Sequence, residues 1–126
     1  MDKIFYNQEL VGFKLESVAP GSVPITEENQ PLQIVSLKHP KGTYLKAHRH
    51  APKHRETECL QECLVVRKGN VRIDVYSSDG VFIKAIELSA GQIYVSVSGG
   101  IGINILEDAE IFEFKNGPFV EDKVLI

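Results

Sequence analysis

VRIDVYSSDGVFIKAIEL, residues 71–88, carries the clearest secondary-structure pattern in this chain. Apolar and polar residues alternate over 71–76, which is the period of a β-strand with one buried face. SSDG follows at 77–80, and Asp and Gly readily adopt the positive φ angles of tight hairpin turns. Apolar residues return at 81–88, so the stretch predicts a β-hairpin.

The same pattern continues on both sides of this hairpin. Residues 19–31 are rich in Pro, Gly and Asn, which predicts a loop. No window of twelve residues shows a helical period, so we predict an all-β domain of about eight to eleven short strands, as a sandwich, jelly roll or barrel. Runs bounded by turn residues predict strands at 12–18, 32–37, 43–50, 62–66, 93–98, 101–106 and 109–115.

Length and charge narrow the class of protein. A chain of 126 residues predicts a single domain, residues 1–126, that can bury a hydrophobic core. A net charge of −3 without a basic stripe argues against nucleic acid or an anionic membrane as a partner. No apolar run approaches the roughly 20 residues of a membrane helix. Residues 1–10 lack the layout of a signal peptide, so we expect a cytoplasmic protein with Cys59 and Cys63 as free thiols.

Histidines are concentrated in one stretch, LKAHRHAPKHRETECLQE, residues 45–62, which holds three of the four in the chain. His48 and His50 are two positions apart on the predicted strand 43–50, so their side chains should point to the same face. Two imidazoles presented by one element are typical of metal sites. His54 is a possible extra ligand from the same stretch.

Glu62 is the candidate carboxylate ligand of this site. It opens the predicted strand 62–66 and shares the parity of Leu64 and Val66, which predicts that it faces the core. A core-facing carboxylate is costly unless a cation or a hydrogen-bond donor meets it. Glu56 and Glu58 are the alternatives for this role.

The spacing around these residues resembles the first motif of the cupin superfamily. Gly42 is followed by five residues and His48-x-His50, and Glu62 is followed by six residues and Gly69. The eleven residues 51–61 between His50 and Glu62 form a longer gap than is usual in the family and would be an insertion. GQIYVSVSGGIGIN, residues 91–104, is similar to the second motif, but Ile101 stands where similar proteins have a histidine ligand.

The resemblance implies a single-domain, cupin-like double-stranded β-helix, or jelly-roll barrel, with its core at approximately 30–115. It implies a divalent metal ion, either Fe, Zn, Mn or Ni, on His48, His50 and Glu62, with a small-molecule ligand or substrate beside it. The implied activity is that of a metal-dependent isomerase, epimerase or dioxygenase acting on a carbohydrate-related or other small oxygenated substrate. The alternative is a non-enzymatic small-molecule sensor whose metal site has decayed, since Ile101 cannot bind a metal.

Other residues are candidates for the lining of this cavity. Tyr44 and Lys46 share the parity of the two histidines on the predicted strand. Asn104 belongs with the polar residues of 94–98 to a set that forms either an inner face or the solvated face of a sheet. Ile101 would be an apolar wall on the vacant side of the metal.

Two predicted strand segments, CLVVRK at 63–68 and IFEFK at 111–115, carry apolar residues on both faces, so both faces need to be covered. A second sheet covers one face. A partner subunit is a plausible cover for part of the other face, so we expect a homodimer.

Overall fold

The structure is a computed structural model that describes all residues, 1–126. It contains ten strands and no helix, so the predicted all-β class and number of strands are confirmed. Without a helix, the chain has none that is long and apolar enough to cross a membrane. The strands are β1 (Asp2–Tyr6), β2 (Glu9–Leu15), β3 (Gly21–Pro24), β4 (Val35–Lys38), β5 (Glu62–Lys68), β6 (Asn70–Tyr76), β7 (Phe82–Ser89), β8 (Ile93–Ser96), β9 (Gly100–Ile105) and β10 (Glu110–Lys115).

The hairpin predicted from residues 71–88 is formed by β6 and β7. Its turn is closed by the Ser77 amide, which donates to the carbonyl of Val81 at 2.8 Å, and by the Gly80 amide, which donates to the carbonyl of Ser77 at 2.9 Å. Gly80 has a φ of 81°, a left-handed conformation that costs glycine little. The turn chemistry of the sequence therefore fixes this hairpin.

The strands form three antiparallel sheets. The largest sheet has five strands in the order β1-β2-β8-β5-β10, and a second sheet has three strands in the order β7-β6-β9. Strands β3 and β4 form a separate two-stranded sheet. Strands β9 and β10 each have a neighbour on one side only, so each leaves one edge with unpaired backbone groups.

The main core lies between the five-stranded and the three-stranded sheet. Leu64 and Val66 of β5 pack in one buried cluster with Val71, Ile73 and Val75 of β6. Alternation places these residues on the inner faces of their sheets. Each such side chain contributes about 1.5–3 kcal/mol when it is fully buried. The two sheets therefore form a sandwich.

A second apolar cluster covers the outer face of the five-stranded sheet. Phe13, Cys63 and Val95 are buried there, and partly buried side chains from residues 25–34 pack against them. Residues 25–34 of the same chain thus cover part of the sheet face for which the sequence pattern led us to expect a partner subunit. The prediction of a loop at 19–31 is wrong at Gly21–Pro24, which forms β3. Pro24 is tolerated because β3 is an edge strand.

The strand predicted at 43–50 is absent from the structure. Residues 39–61 form no strand, and all side chains of 39–60 are exposed. We call residues 39–60 the arm. The alternating pattern of 43–50 is suited to a strand, but a strand forms only where a neighbouring strand accepts its backbone hydrogen bonds, and no strand lies beside this segment.

Candidate functional site

The two central histidines lie side by side on the arm. The ring centroids of His48 and His50 are 5.1 Å apart at an interplanar angle of 72°. His48 Nδ1 lies 3.0 Å from the carbonyl oxygen of Lys46. Both rings are exposed, so they are available to a metal ion but are not held against the body of the protein.

The other candidates on the arm lie apart from this pair. His54 Nε2 is 3.1 Å from Glu56 Oε1, and the two side chains are 82% and 84% exposed, so the pair contributes little to stability. Tyr44 is 76% exposed, and its hydroxyl accepts a hydrogen bond from the Ala47 amide at 3.4 Å. Lys46 is also exposed. In this arrangement neither Tyr44 nor Lys46 belongs to the buried interior.

Glu62 occupies the position that its parity predicts, on the inner face at the start of β5. It is in register with Ser96 of β8 and with Lys115 of β10. Its side chain is 23% exposed, and Lys115 Nζ lies 3.8 Å from its Oε1. Burial raises the pKa of Glu62, the adjacent Glu113 carboxyl raises it further, and Lys115 only partly offsets this. The positive charge near the Glu62 carboxylate therefore does not compensate for its burial and for the adjacent Glu113.

Two amide side chains, buried Gln61 and partly exposed Asn116, fix the chain just before Glu62. Gln61 is 2% exposed, and its backbone amide donates to Asn116 Oδ1 at 2.8 Å. The Leu32 amide donates to Gln61 Oε1 at 3.2 Å. Asn116 Nδ2 in turn donates to the carbonyl of Cys59 at 3.0 Å. These bonds hold the end of the arm and set the position of Glu62.

A buried tyrosine adds a second unusual polar group to the interior. Tyr94 is completely buried, and its hydroxyl has no hydrogen-bond partner. The hydroxyl lies against Gly12, where a Cβ atom would overlap it. Gly12 is in register with Ser96, and Ser96 is in register with Glu62. The hydroxyl is thus directed toward the same end of the sandwich as the carboxylate, and burial raises the pKa of Tyr94.

Ile101 lies on the inner face of the opposite sheet. It is in register with Val75 of β6 and packs against the main core. Only three residues separate the end of β8 at Ser96 from the start of β9 at Gly100. Ile101 and Glu62 therefore belong to the same end of the sandwich.

Asn104 faces the other way, on the outer face of the three-stranded sheet. Its Nδ2 donates to Asp74 Oδ2 at 2.7 Å, and Arg72 Nε donates to Asp74 Oδ1 at 3.0 Å. Of the two alternatives for the polar set, Asn104 thus fits the solvated face, whereas Tyr94 and Ser96 lie inside.

The structure does not bring the three predicted ligands together. It contains no group of three or more His, Cys, Asp or Glu side chains arranged to hold a metal ion. His48 and His50 are on the exposed arm, and Glu62 is on the inner face of β5. In this arrangement the residues do not fit a metal centre, and one could form only if the arm moved.

Glu113 and Lys115 belong to this site but were not predicted from the sequence. The alternation in 109–115 places both on one face of a strand, but it does not tell which strand pairs with it. The register Lys115↔Glu62 and Glu113↔Leu64 supplies the missing information.

Comparison of the chain with protein-family models, with curated proteins and with solved structures finds no match. The resemblance to cupins therefore rests on the spacing of Gly42, His48, His50, Glu62 and Gly69.

Proposed function

We propose that the protein binds a divalent metal ion, of Fe, Zn, Mn or Ni, through His48, His50 and Glu62, and a small molecule between the two sheets. One observation carries the proposal, which is the half-buried Glu62 carboxylate at the end of the sandwich. A carboxylate in this position is costly when ionised, and its pKa is raised for that reason. A bound cation would remove the cost.

The proposal requires the arm to dock as a strand on the free edge of β9. This edge is unpaired, and the inner-face residues Ile103 and Ile105 are 41% and 58% exposed. A strand formed by 43–50 would satisfy the backbone groups of β9 and cover part of this apolar surface. The three-stranded sheet would then have four strands and approach the cupin-like jelly-roll barrel.

Docking would also bring the ligands to one place. Alternation puts His48 and His50 on one face of the new strand. With that face inward, the imidazoles would lie beside Ile101 and across the sandwich from Glu62. Tyr44 and Lys46 would share the inward face and line the space between the sheets.

Two imidazoles and one carboxylate leave coordination positions open for a substrate or for water. A metal so bound would supply Lewis acidity at those positions. The enzymatic form of the proposal is an isomerase, epimerase or dioxygenase acting on a carbohydrate-related or other small oxygenated molecule.

A second candidate is a non-enzymatic sensor or carrier of small molecules with a decayed metal site. Ile101 favours it, because this partly buried side chain packs against the apolar core and cannot bind a metal. Under either candidate we propose a cytoplasmic homodimer. The side chain of Phe112 on β10 is 55% exposed, and a second copy would cover it.

Calorimetric titration with Zn²⁺ and Mn²⁺ tests the metal proposal. The parent should bind one ion per chain, and His48→Ala, His50→Ala and Glu62→Gln should each weaken binding by about tenfold or more. His39→Ala is the matched control, because His39 contacts Ser22 outside the proposed site, and it should bind as the parent does. If all four variants bind equally, these residues are not the ligands. If the parent binds no metal, the sensor is the better proposal.

A further inference from the structure

A cavity of about 420 Å³ lies outside the sandwich interior, on the outer face of the five-stranded sheet. Its floor includes Cys63 and Val65 of β5. Its cover includes Ile25, Leu32 and Ile34, which pack against the floor cluster. Cys63 and Val65 alternate with Glu62 and Leu64 along β5, so the cavity is on the opposite side of the sheet from the proposed metal site.

The lining of the cavity is apolar and uncharged. Ten of its fourteen lining residues are hydrophobic, and none is charged. Burial raises the pKa of Cys63 to about 11, so its thiol is neutral and resembles a small apolar group. The Gln33 side-chain amide is engaged by the carbonyls of Glu27 and Gln30, each at 2.8 Å. The walls thus offer little to compensate an ion for its lost hydration.

The rim of the cavity exposes large apolar side chains to water. Val35 is 53% exposed and Phe114 is 55% exposed, and both line the opening. Exposed apolar surface next to a cavity is typical of binding sites. A volume of about 420 Å³ also lies within the range of small-molecule sites in proteins.

We propose that this cavity binds an uncharged, largely apolar small molecule, such as a medium-chain alcohol or a two-ring aromatic compound. The ligand would lie between Cys63 and the segment 25–34 and would cover the apolar rim. This goes beyond the proposed function, because the site lies on the other face of β5 and uses none of the proposed metal ligands.

The probe for the test is N-phenyl-1-naphthylamine, whose fluorescence rises in apolar surroundings. The parent should bind one probe per chain, and 1-decanol should displace it. Decanoate, which has a charged head, should compete at least about tenfold less well than 1-decanol, since the lining has no cation to receive it. Binding should be unchanged by EDTA and by His48→Ala, so the result is independent of the metal proposal.

Variants locate the probe. Ser36→Trp on β4 fills the cavity from its cover, and Ser17→Trp fills it from an exposed loop and does not depend on the packing of β4. Ser22→Trp on the neighbouring β3 is the matched control, because Ser22 does not line the cavity. The folded variants that fill the cavity should lose at least about tenfold in probe affinity, and the control should retain it.

The proposal is overturned if the parent does not bind the probe, or if Ser17→Trp binds it as well as Ser22→Trp does. It is also overturned if probe binding falls as protein concentration rises in step with dimer formation. That outcome would assign the cavity face to contact between two copies of the chain.

Discussion

The orphaned hydroxyl of Tyr94 gives the sharpest prediction for stability. Tyr94 is completely buried, and its hydroxyl has no partner in the protein. Folding strips this hydroxyl of water without replacing the lost hydrogen bonds, which costs about 1–3 kcal/mol. The change Tyr94→Phe removes only this hydroxyl and leaves the packed ring in place. We therefore expect the variant to be more stable than the parent in the absence of a ligand.

The expected gain is about 1–2 kcal/mol in the free energy of unfolding, because the ring keeps its contacts with Leu64 and the rest of the main core. In a domain of this size, that gain corresponds to a rise of about 3–8 °C in Tm. Urea unfolding followed by far-UV circular dichroism measures it. Tyr76→Phe is the control, because Tyr76 is on the outer face of the three-stranded sheet, and its stability should stay within about 0.5 kcal/mol of the parent.

A Tyr94→Phe variant less stable than the parent by about 1 kcal/mol or more would refute this reasoning. It would mean that the hydroxyl has a strong partner, such as a buried water. The neighbouring Gly12 gives a second check. A Cβ at Gly12 would overlap the Tyr94 ring and lie 2.6 Å from the carbonyl oxygen of Val95. Gly12→Ala should therefore destabilise both the parent and the Tyr94→Phe variant.

Three further predictions concern the ends of the sandwich and the arm. Burial raises the pKa of Glu62 above its ordinary value of 4.5, so the stability contributed by its protonated form is present at low pH and is lost as pH rises through the raised pKa. In urea unfolding, metal-free Glu62→Gln should therefore be as stable as the parent at pH 4 and more stable than the parent at pH 7. A variant less stable than the parent at pH 7 would contradict this. Ile101→His should bind Zn²⁺ more tightly than the parent, whether it adds a ligand to a working site or restores a decayed one, and equal titration curves would show that position 101 does not face the metal. Trypsin should cleave the metal-free protein first in the arm, because its side chains are all exposed, and Zn²⁺ should slow this cleavage. Mass spectrometry of the fragments identifies the first cuts, and first cuts in β5 or β6 would contradict the described fold.

The sequence predicted the strands that have one buried face and chemically clear turns. Residues 71–88 form the predicted hairpin because alternation and the Asp-Gly turn agree with the packing of β6. The strand β1 was not predicted, because only Ile4 within it is buried and its neighbour Phe5 is 56% exposed. The turn between β1 and β2 contains Asn7 and Gln8, at φ angles of 49° and 69°. Gln is not one of the residue types that indicate a turn in a sequence.

The candidate site was predictable in part. Alternation correctly predicted that Glu62 faces inward, because the face of a side chain depends only on its position along one strand. Its contacts with Glu113 and Lys115 depend on how β5 pairs with β10, and a register shift between Glu110 and Ile111 puts that pairing beyond sequence patterns. The alternation in 43–50 describes what the segment can do as a strand but not whether a partner strand is beside it.

Hydrogen–deuterium exchange with and without Zn²⁺ tests most directly the claim that the arm docks on β9 to complete a metal site. We predict that one equivalent of Zn²⁺ slows exchange of the backbone amides in 43–50 and in Gly100–Ile105 together, and that His50→Ala abolishes both effects. Zn²⁺ binding with unchanged exchange in both segments would contradict the docking of the arm.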